Sequence, residues 1–290
     1  MVDGTSSLPQ IGVHPTATDR SMPVLDLARE AEARGFRSLY FPEHTHVPVD
    51  SMQITPEWRM DARYQRSVDP YIASAFVAAA TSLEVGTGIS LVAQHDAIAL
   101  AKQIATLEHL APGRVVIGVG YGYNRQEAED HGVPFDRRVL VVEETVRLMR
   151  ALWTEDEAVF EGRFRRLPPS WSWPKPSAGC PPVLVGARAT PRNFAKIVDW
   201  ADGWIPMGQG ATNVEAALAE LRTRWSDAGR TAKLQVCCWF QPGSRSQLAE
   251  EITRAAELGI QRMQLYLEDR TRDQALPLLD DVVAALEVTR

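Results

Sequence analysis

At 290 residues, with 45% hydrophobic and 23% charged side chains, the chain has an ordinary globular composition, which excludes a disordered, collagen-like or rod-like molecule. Its 31 basic and 37 acidic residues leave a net charge of −6, a balance that offers no field for phosphate backbones, so nucleic acid is not an expected partner. Cys180, Cys237 and Cys238 form neither a disulfide framework nor a CxxC pair, residues 1–30 lack an apolar leader, and no window of about 18 apolar residues occurs; a cytoplasmic protein without a membrane span is expected.

Apolar runs alternate with helical patterns along the chain. A helix over 22–34 ends at Gly35 and is followed by a strand over 38–42. The strand over 83–91 precedes a helix over 98–110, where Ile98, Ala101, Ala105 and Leu107 keep helical spacing. A strand over 114–119 precedes a helix over 137–153. Strands then fall at 182–185, 203–207, 234–240 and 262–267, each with a helix after it, at 192–200, 214–227, 246–258 and 273–288. With a weaker strand near the N-terminus, eight strand–helix pairs fill one domain, 1–290. Such alternation gives parallel strands joined by right-handed crossovers, so the expected fold is α/β, a (β/α)8 TIM barrel with insertions after strands 2 and 4.

The first insertion, 44–66, is polar and proline-marked; the second, 159–182, opens with Glu161–Gly162 as a hairpin turn. Long insertions serve as lids or binding loops. Trp58 and Tyr64 in the first and Trp171 and Trp173 in the second either pack beneath a loop or roof an apolar substrate.

In a barrel, chemistry sits where strands end. After strand two stands Glu43–His44–Thr45–His46. Two histidines at i, i+2 could share a zinc ion, but all six histidines lie before residue 132, so strands five to eight supply no further ligand for a metal-dependent hydrolase. The remaining readings are packing histidines, or His44 as a proton handler with Glu43 tuning its ring. After strand four, Gly118–Gly120–Gly122 resembles part of a dinucleotide fingerprint, yet the acid expected about 20 residues on is missing, since Glu143 and Glu144 fall in a helical pattern. The glycines either let a flat group lie against the backbone or permit close strand–helix packing. After strand five, Gly186–Ala187–Arg188 precedes a helix starting near Thr190–Pro191, either an anion site or a plain turn. No GxSxG elbow occurs, and Cys237–Cys238 lie in a strand pattern as core residues.

Taken in order, further motifs resemble the luciferase-like monooxygenase superfamily, in the branch that uses the deazaflavin coenzyme F420. They are Leu8–Pro9–Gln10–Ile11–Gly12, Ala31–Glu32–Ala33–Arg34–Gly35–Phe36, Glu43–His44, Val85–Gly86–Thr87–Gly88, Ala101–Lys102–Gln103–Ile104–Ala105, Gly118–Val119–Gly120, Trp173–Pro174–Lys175–Pro176 and Val183–Leu184–Val185–Gly186. The resemblance runs from Leu8 to Gly208 and implies the barrel reached above. It implies an oxidoreductase that moves a hydride between F420 and a small organic substrate, or alternatively an FMN-dependent monooxygenase, and a homodimer. It places the ring over the ends of strands two to four, with a non-proline cis peptide at Gly88–Ile89, Gly120 and Tyr123 at the cofactor, and phosphate at Gly186, Ala187 and Arg188. His44 then assists proton transfer, and Glu43 bonds the ring edge.

Four positions depart from the family pattern. Glu43 replaces a usual aspartate, and His95–Asp96–Ala97 replaces Arg–Asn–Pro. Tyr123 stands where relatives place an acid, which leaves a non-catalytic paralogue as a further reading. The N-terminal strand, Gly4–Thr5–Ser6–Ser7–Leu8, is unusually polar.

Overall fold

The computed structural model describes residues 8–208 and 213–289. Strand β1 (Gln10–Pro15) leads through helix α1 (Val24–Ala33) to β2 (Ser38–Phe41), and a small hairpin, β3 (Gln53–Thr55) and β4 (Trp58–Arg59), precedes α2 (Pro70–Ala80). Next come β5 (Glu84–Ser90), α3 (Ala97–Leu110) and β6 (Val115–Gly120), then two helices, α4 (Arg125–Asp130) and α5 (Arg138–Thr154). A second hairpin, β7 (Ala158–Glu161) and β8 (Arg166–Ser170), leads to β9 (Val183–Ala187), α6 (Pro191–Trp200), β10 (Gly203–Pro206) and α7 (Glu215–Asp227). The chain finishes with β11 (Gln235–Phe240), α8 (Arg245–Glu257), β12 (Arg262–Leu267) and α9 (Arg272–Val288).

Eight parallel strands close into a barrel in the order β1, β12, β11, β10, β9, β6, β5, β2, as the alternation of elements requires. Strands β6 and β9 are buried at every position, the mark of parallel strands covered on both faces. Inside the barrel, Tyr40, Val116, Leu184, Ile205 and Cys237 form one packed layer. The space between strands leaves no room for some side chains: a Cβ on Gly203 would stand 2.0 Å from the Gln235 carbonyl oxygen, and one on Gly86 2.0 Å from that of Val116. Helices begin where a side chain satisfies free N–H groups. Asp69 and Thr190 cap α2 and α6, each followed by proline, and Asp96 and Ser244 cap α3 and α8. No described helix is long and apolar enough to cross a membrane.

The first barrel strand is Gln10–Pro15, not the polar run at 4–8, of which residues 4–7 lie outside the described residues. Its apolar signal is weak because only Ile11 and Val13 are aliphatic, while His14 and Pro15 occupy the buried positions at its end. Glu161–Gly162 does open the β7–β8 hairpin. The segment beyond it, however, turns away from the strand C-termini. Lys175 Nζ donates to the Leu152 carbonyl at 2.8 Å, and Glu108 accepts from the Gly113 and Ala178 N–H groups at 2.8 and 3.2 Å, so this segment packs at the C-terminal ends of α3 and α5. Trp171 and Trp173 are 78% and 59% exposed there and roof nothing at the strand ends. The physical reason is topological: the segment leaves a helix and enters a strand, so it emerges at the barrel's far end.

Candidate active site

A cavity of about 360 Å³ opens at the C-terminal ends of the strands. Its floor is Ile89, Met207 and Trp239, which pack on the interior layer. The peptide Gly88–Ile89 is cis. The β5–β6 register shifts between Thr87 and Ser90, so the strand bulges there. The neighbouring glycines accommodate the Ile89 side chain: a Cβ on Gly120 would lie 2.2 Å from Ile89 Cδ1, and one on Gly186 2.7 Å from Ile89 Cγ2. Gly118 serves packing instead, since its Cβ would meet the Thr87 carbonyl oxygen at 2.3 Å.

Beyond the end of β2, Glu43 is 3% exposed. One carboxylate oxygen accepts from Ser90 Oγ and the Leu91 N–H, both at 2.6 Å, and the other pairs with His95 Nε2 at 2.7 Å. Burial pushes the Glu43 carboxyl up, but His95, Ser90 and Leu91 together outweigh it and hold it below the usual glutamate range. Burial likewise lowers His95, and the Glu43 carboxylate outweighs that and raises it.

His44 points elsewhere. Its Nδ1 faces the two carboxylate oxygens of Glu127 at 2.9 and 3.0 Å, and its Nε2 meets the Tyr123 hydroxyl at 2.9 Å. Glu127 sits on α4, where Asn124 caps the helix through the Glu127 N–H at 3.2 Å and donates its amide to Ser51 Oγ at 2.8 Å. The first insertion closes over this group: the Tyr64 ring lies 5.0 Å from His44, and Trp58 packs edge-on to Tyr123 at 4.8 Å. Arg63 ties the insertion to the loop after β12 through Glu268 at 3.1 Å.

His14, at the end of β1, donates from Nδ1 to the Tyr40 carbonyl at 2.8 Å and stacks on Trp239 at 4.7 Å. Burial lowers its pKa to about 4, so the ring is neutral at pH 7. On the rim beside α6, Thr190 Oγ1 accepts from the Asn193 N–H at 3.2 Å, and the Asn193 amide donates to the Arg188 carbonyl at 2.9 Å. Arg188 is exposed, and Arg138 lies against the Phe135 ring at 3.8 Å while donating to the Gly122 and Phe135 carbonyls. Burial, then the charge of Arg125, lowers the Arg138 pKa. Neither arginine has a carboxylate partner among the described ion pairs.

The family model for luciferase-like monooxygenases matches residues 1–278. The chain belongs to that family. An uncharacterized protein of Mycobacterium tuberculosis is 39% identical over 274 residues, covering 93% of this chain and 95% of that protein. The F420-dependent glucose-6-phosphate dehydrogenase of Nakamurella multipartita is 29% identical over 214 residues, 71% of this chain and 58% of that one. The FMNH(2)-dependent dimethylsulfone monooxygenase of Pseudomonas fluorescens is 29% identical over 167 residues, 56% and 44% of the two chains. The fold recurs in an F420-dependent secondary alcohol dehydrogenase at 18% identity, with 98% and 100% coverage and a TM-score of 0.76.

In this luciferase-like barrel the nine residues singled out by sequence, Glu43, His44, Gly88, Ile89, Gly120, Tyr123, Gly186, Ala187 and Arg188, all line the one cavity. The carboxylate that holds the His44 ring is Glu127, not Glu43, whose oxygens turn toward β5. His14, Arg138, Asn193 and Trp239 also line it and were not anticipated. The pattern Asn124-x-x-Glu127 is a recognisable helix start, although it does not show where Glu127 points. His44 and His46 turn to different partners, Glu127 and Asp130, and the described residues contain no group of three side chains suited to a metal.

Proposed function

We propose that this family member is an oxidoreductase that moves a hydride between the deazaflavin F420 and a small organic substrate bearing a hydroxyl or carbonyl. The observation that carries the reading is the convergence of a flat wall, an anion-seeking rim and an acid–base group on one cavity. Ile89 over Gly120 and Gly186 offers the wall. Arg188, Arg138 and the capped start of α6 offer positive charge, and neither arginine takes part in a described ion pair. Beside the wall, the buried Trp239 Nε1 and Tyr121 hydroxyl have no hydrogen-bond partner among the described residues. When bound, the ring supplies the two-electron acceptor or donor; the chain supplies orientation, phosphate anchorage and a proton path through His44. Glu43 shapes the wall by fixing the end of β2 to the bulge.

An FMN-dependent monooxygenase is the second reading, favoured by the likeness to the dimethylsulfone monooxygenase. Titrating the purified protein with F420 and with FMN, followed by fluorescence, separates the two. Saturable F420 binding with far weaker FMN binding supports the first, the reverse order supports the second, and binding of neither overturns both. In the same titration R188A is expected to raise the F420 Kd about tenfold, the low end for a charge-assisted hydrogen bond at an exposed site.

The resemblance also carries a homodimer. Ile72 and Phe76 on α2 and Leu110 on α3 are 63%, 60% and 74% exposed, an apolar face suited to a second copy. Light scattering should give twice the chain mass, and F76E should shift it toward monomer. The three free cysteines suit a reducing compartment, and we place the enzyme in the cytoplasm.

A further inference from the structure

His44 does not meet the cavity unaccompanied. Tyr123 caps its Nε2 at 2.9 Å, and Glu127, 1% exposed, has His44 as its one side-chain partner among the described hydrogen bonds. A carboxylate only accepts, so this geometry puts the imidazole proton on Nδ1 and leaves Nε2 as an acceptor. The phenol is then the donor to Nε2, and its own oxygen keeps a lone pair for a further donor on the cavity side.

We infer that Tyr123 is the residue that exchanges a proton with the substrate, with His44 the base behind it and Glu127 the carboxylate that positions His44. The inference rests on the oxidoreductase reading and deepens it. In the oxidative direction the substrate O–H bond breaks and its proton passes to the Tyr123 oxygen, while the Tyr123 proton passes to His44 Nε2. The resulting imidazolium faces Glu127; the electron pair of the broken O–H bond becomes the second bond of the substrate C=O, and the C–H bond at that carbon breaks, its hydrogen leaving with the bonding pair as hydride to the two-electron acceptor named above. In the reductive direction both protons return along the same line.

Three further observations support this order. Burial, followed by the nearby charge of Glu127, pushes the Tyr123 phenol well above its ordinary pKa, so it holds the proton that the relay needs to hand on. Gly122 adopts φ 72°, a turn that a side chain would strain, and delivers Tyr123 to the cavity mouth. Trp58 packs against the Tyr123 ring and fixes its plane. The logic matches other hydroxyl–imidazole–carboxylate arrangements, where the carboxylate sets the tautomer and the hydroxyl meets the substrate. Glu127 is therefore a positioning residue, and Tyr123 the one that touches the reacting group.

The test is histidine-selective ¹⁵N NMR on the full chain without cofactor, with H44Q used to assign the His44 signals. The expected spectrum has His44 protonated on Nδ1 and an Nε2 resonance shifted by an accepted hydrogen bond. Y123F should remove that shift while leaving Nδ1 protonated, and E127Q should redistribute the proton between the two nitrogens. A His44 protonated on Nε2, or an Nε2 resonance unmoved in Y123F, overturns the relay. The two possible failures are distinct. If wild-type protein binds neither F420 nor FMN, the oxidoreductase reading falls and takes the catalytic role of Tyr123 with it. If F420 binds normally and the Y123F spectrum is unchanged, the relay alone falls.

Discussion

Replacing His44 with alanine should lower turnover by about 10²–10⁴-fold, the usual contribution of a positioned acid–base group, while F420 affinity changes by no more than about twofold. The separation is expected because His44 acts at the cavity through Tyr123, with Glu127 behind it, and contributes nothing to the arginine-lined rim. The variant should also melt at a lower temperature than wild type, because it leaves the buried Glu127 carboxylate without its one described side-chain partner, so turnover is compared well below that transition. Steady-state kinetics with any alcohol that the wild-type protein oxidises, set beside the fluorescence titration, checks both halves. A rise in KM with kcat unchanged would mean that His44 binds substrate and moves no proton.

The second large effect concerns folding. E43L should destabilise the protein by about 3–5 kcal/mol, because it removes one half of a buried pair and leaves His95, the Ser90 hydroxyl and the Leu91 N–H without their acceptor. For a chain of this size that corresponds to a melting temperature lower by about 10 °C. E43Q keeps an acceptor oxygen and should lose less. The difference between wild type and E43Q should depend on pH in a defined direction. Glu43 is held below its ordinary value, so its contribution is present above the unfolded pKa of about 4.3 and disappears as pH falls through the folded one. His95 is raised, so its contribution is complete below about 6.5 and disappears as pH rises through its folded value. The wild-type advantage should therefore peak between about pH 5 and 6 and shrink on either side. Denaturant melts at pH 4, 5.5 and 8 would show it; a difference that is flat across that range would mean that Glu43 and His95 do not share charge.

Much of this arrangement is legible in the sequence, and the parts that are not have physical reasons. Seven of the eight barrel strands declare themselves as apolar runs because parallel strands are covered on both faces. The first does not, because His14 and Pro15 stand where aliphatics would give it away. The strand ends point to the cavity because the fold places chemistry there, which is how Gly88, Gly120 and Gly186 came together around Ile89. Gly120 and Gly186 make room for Ile89, and it is Ile89 that forms the surface, while a side chain on Gly88 would meet His14 and Tyr40. Glu127 escaped notice because it lies on a six-residue polar helix and meets His44 across 83 residues of sequence. The adjacent Glu43 looked like the natural partner, but successive residues on an extended segment point to opposite sides. The far-end location of Trp171 and Trp173 could have been deduced, since their segment connects a helix to a strand, whereas Trp58 and Tyr64 lie between a strand and its helix.

The most direct test of the account is a crystal structure of the full chain soaked with F420. The ring should lie against Ile89 with its edge toward Tyr123 and His44, and its phosphate should lie at Ala187–Arg188 beside the start of α6. Density for F420 elsewhere on the molecule, or an empty cavity at a concentration that saturates binding in solution, would contradict it.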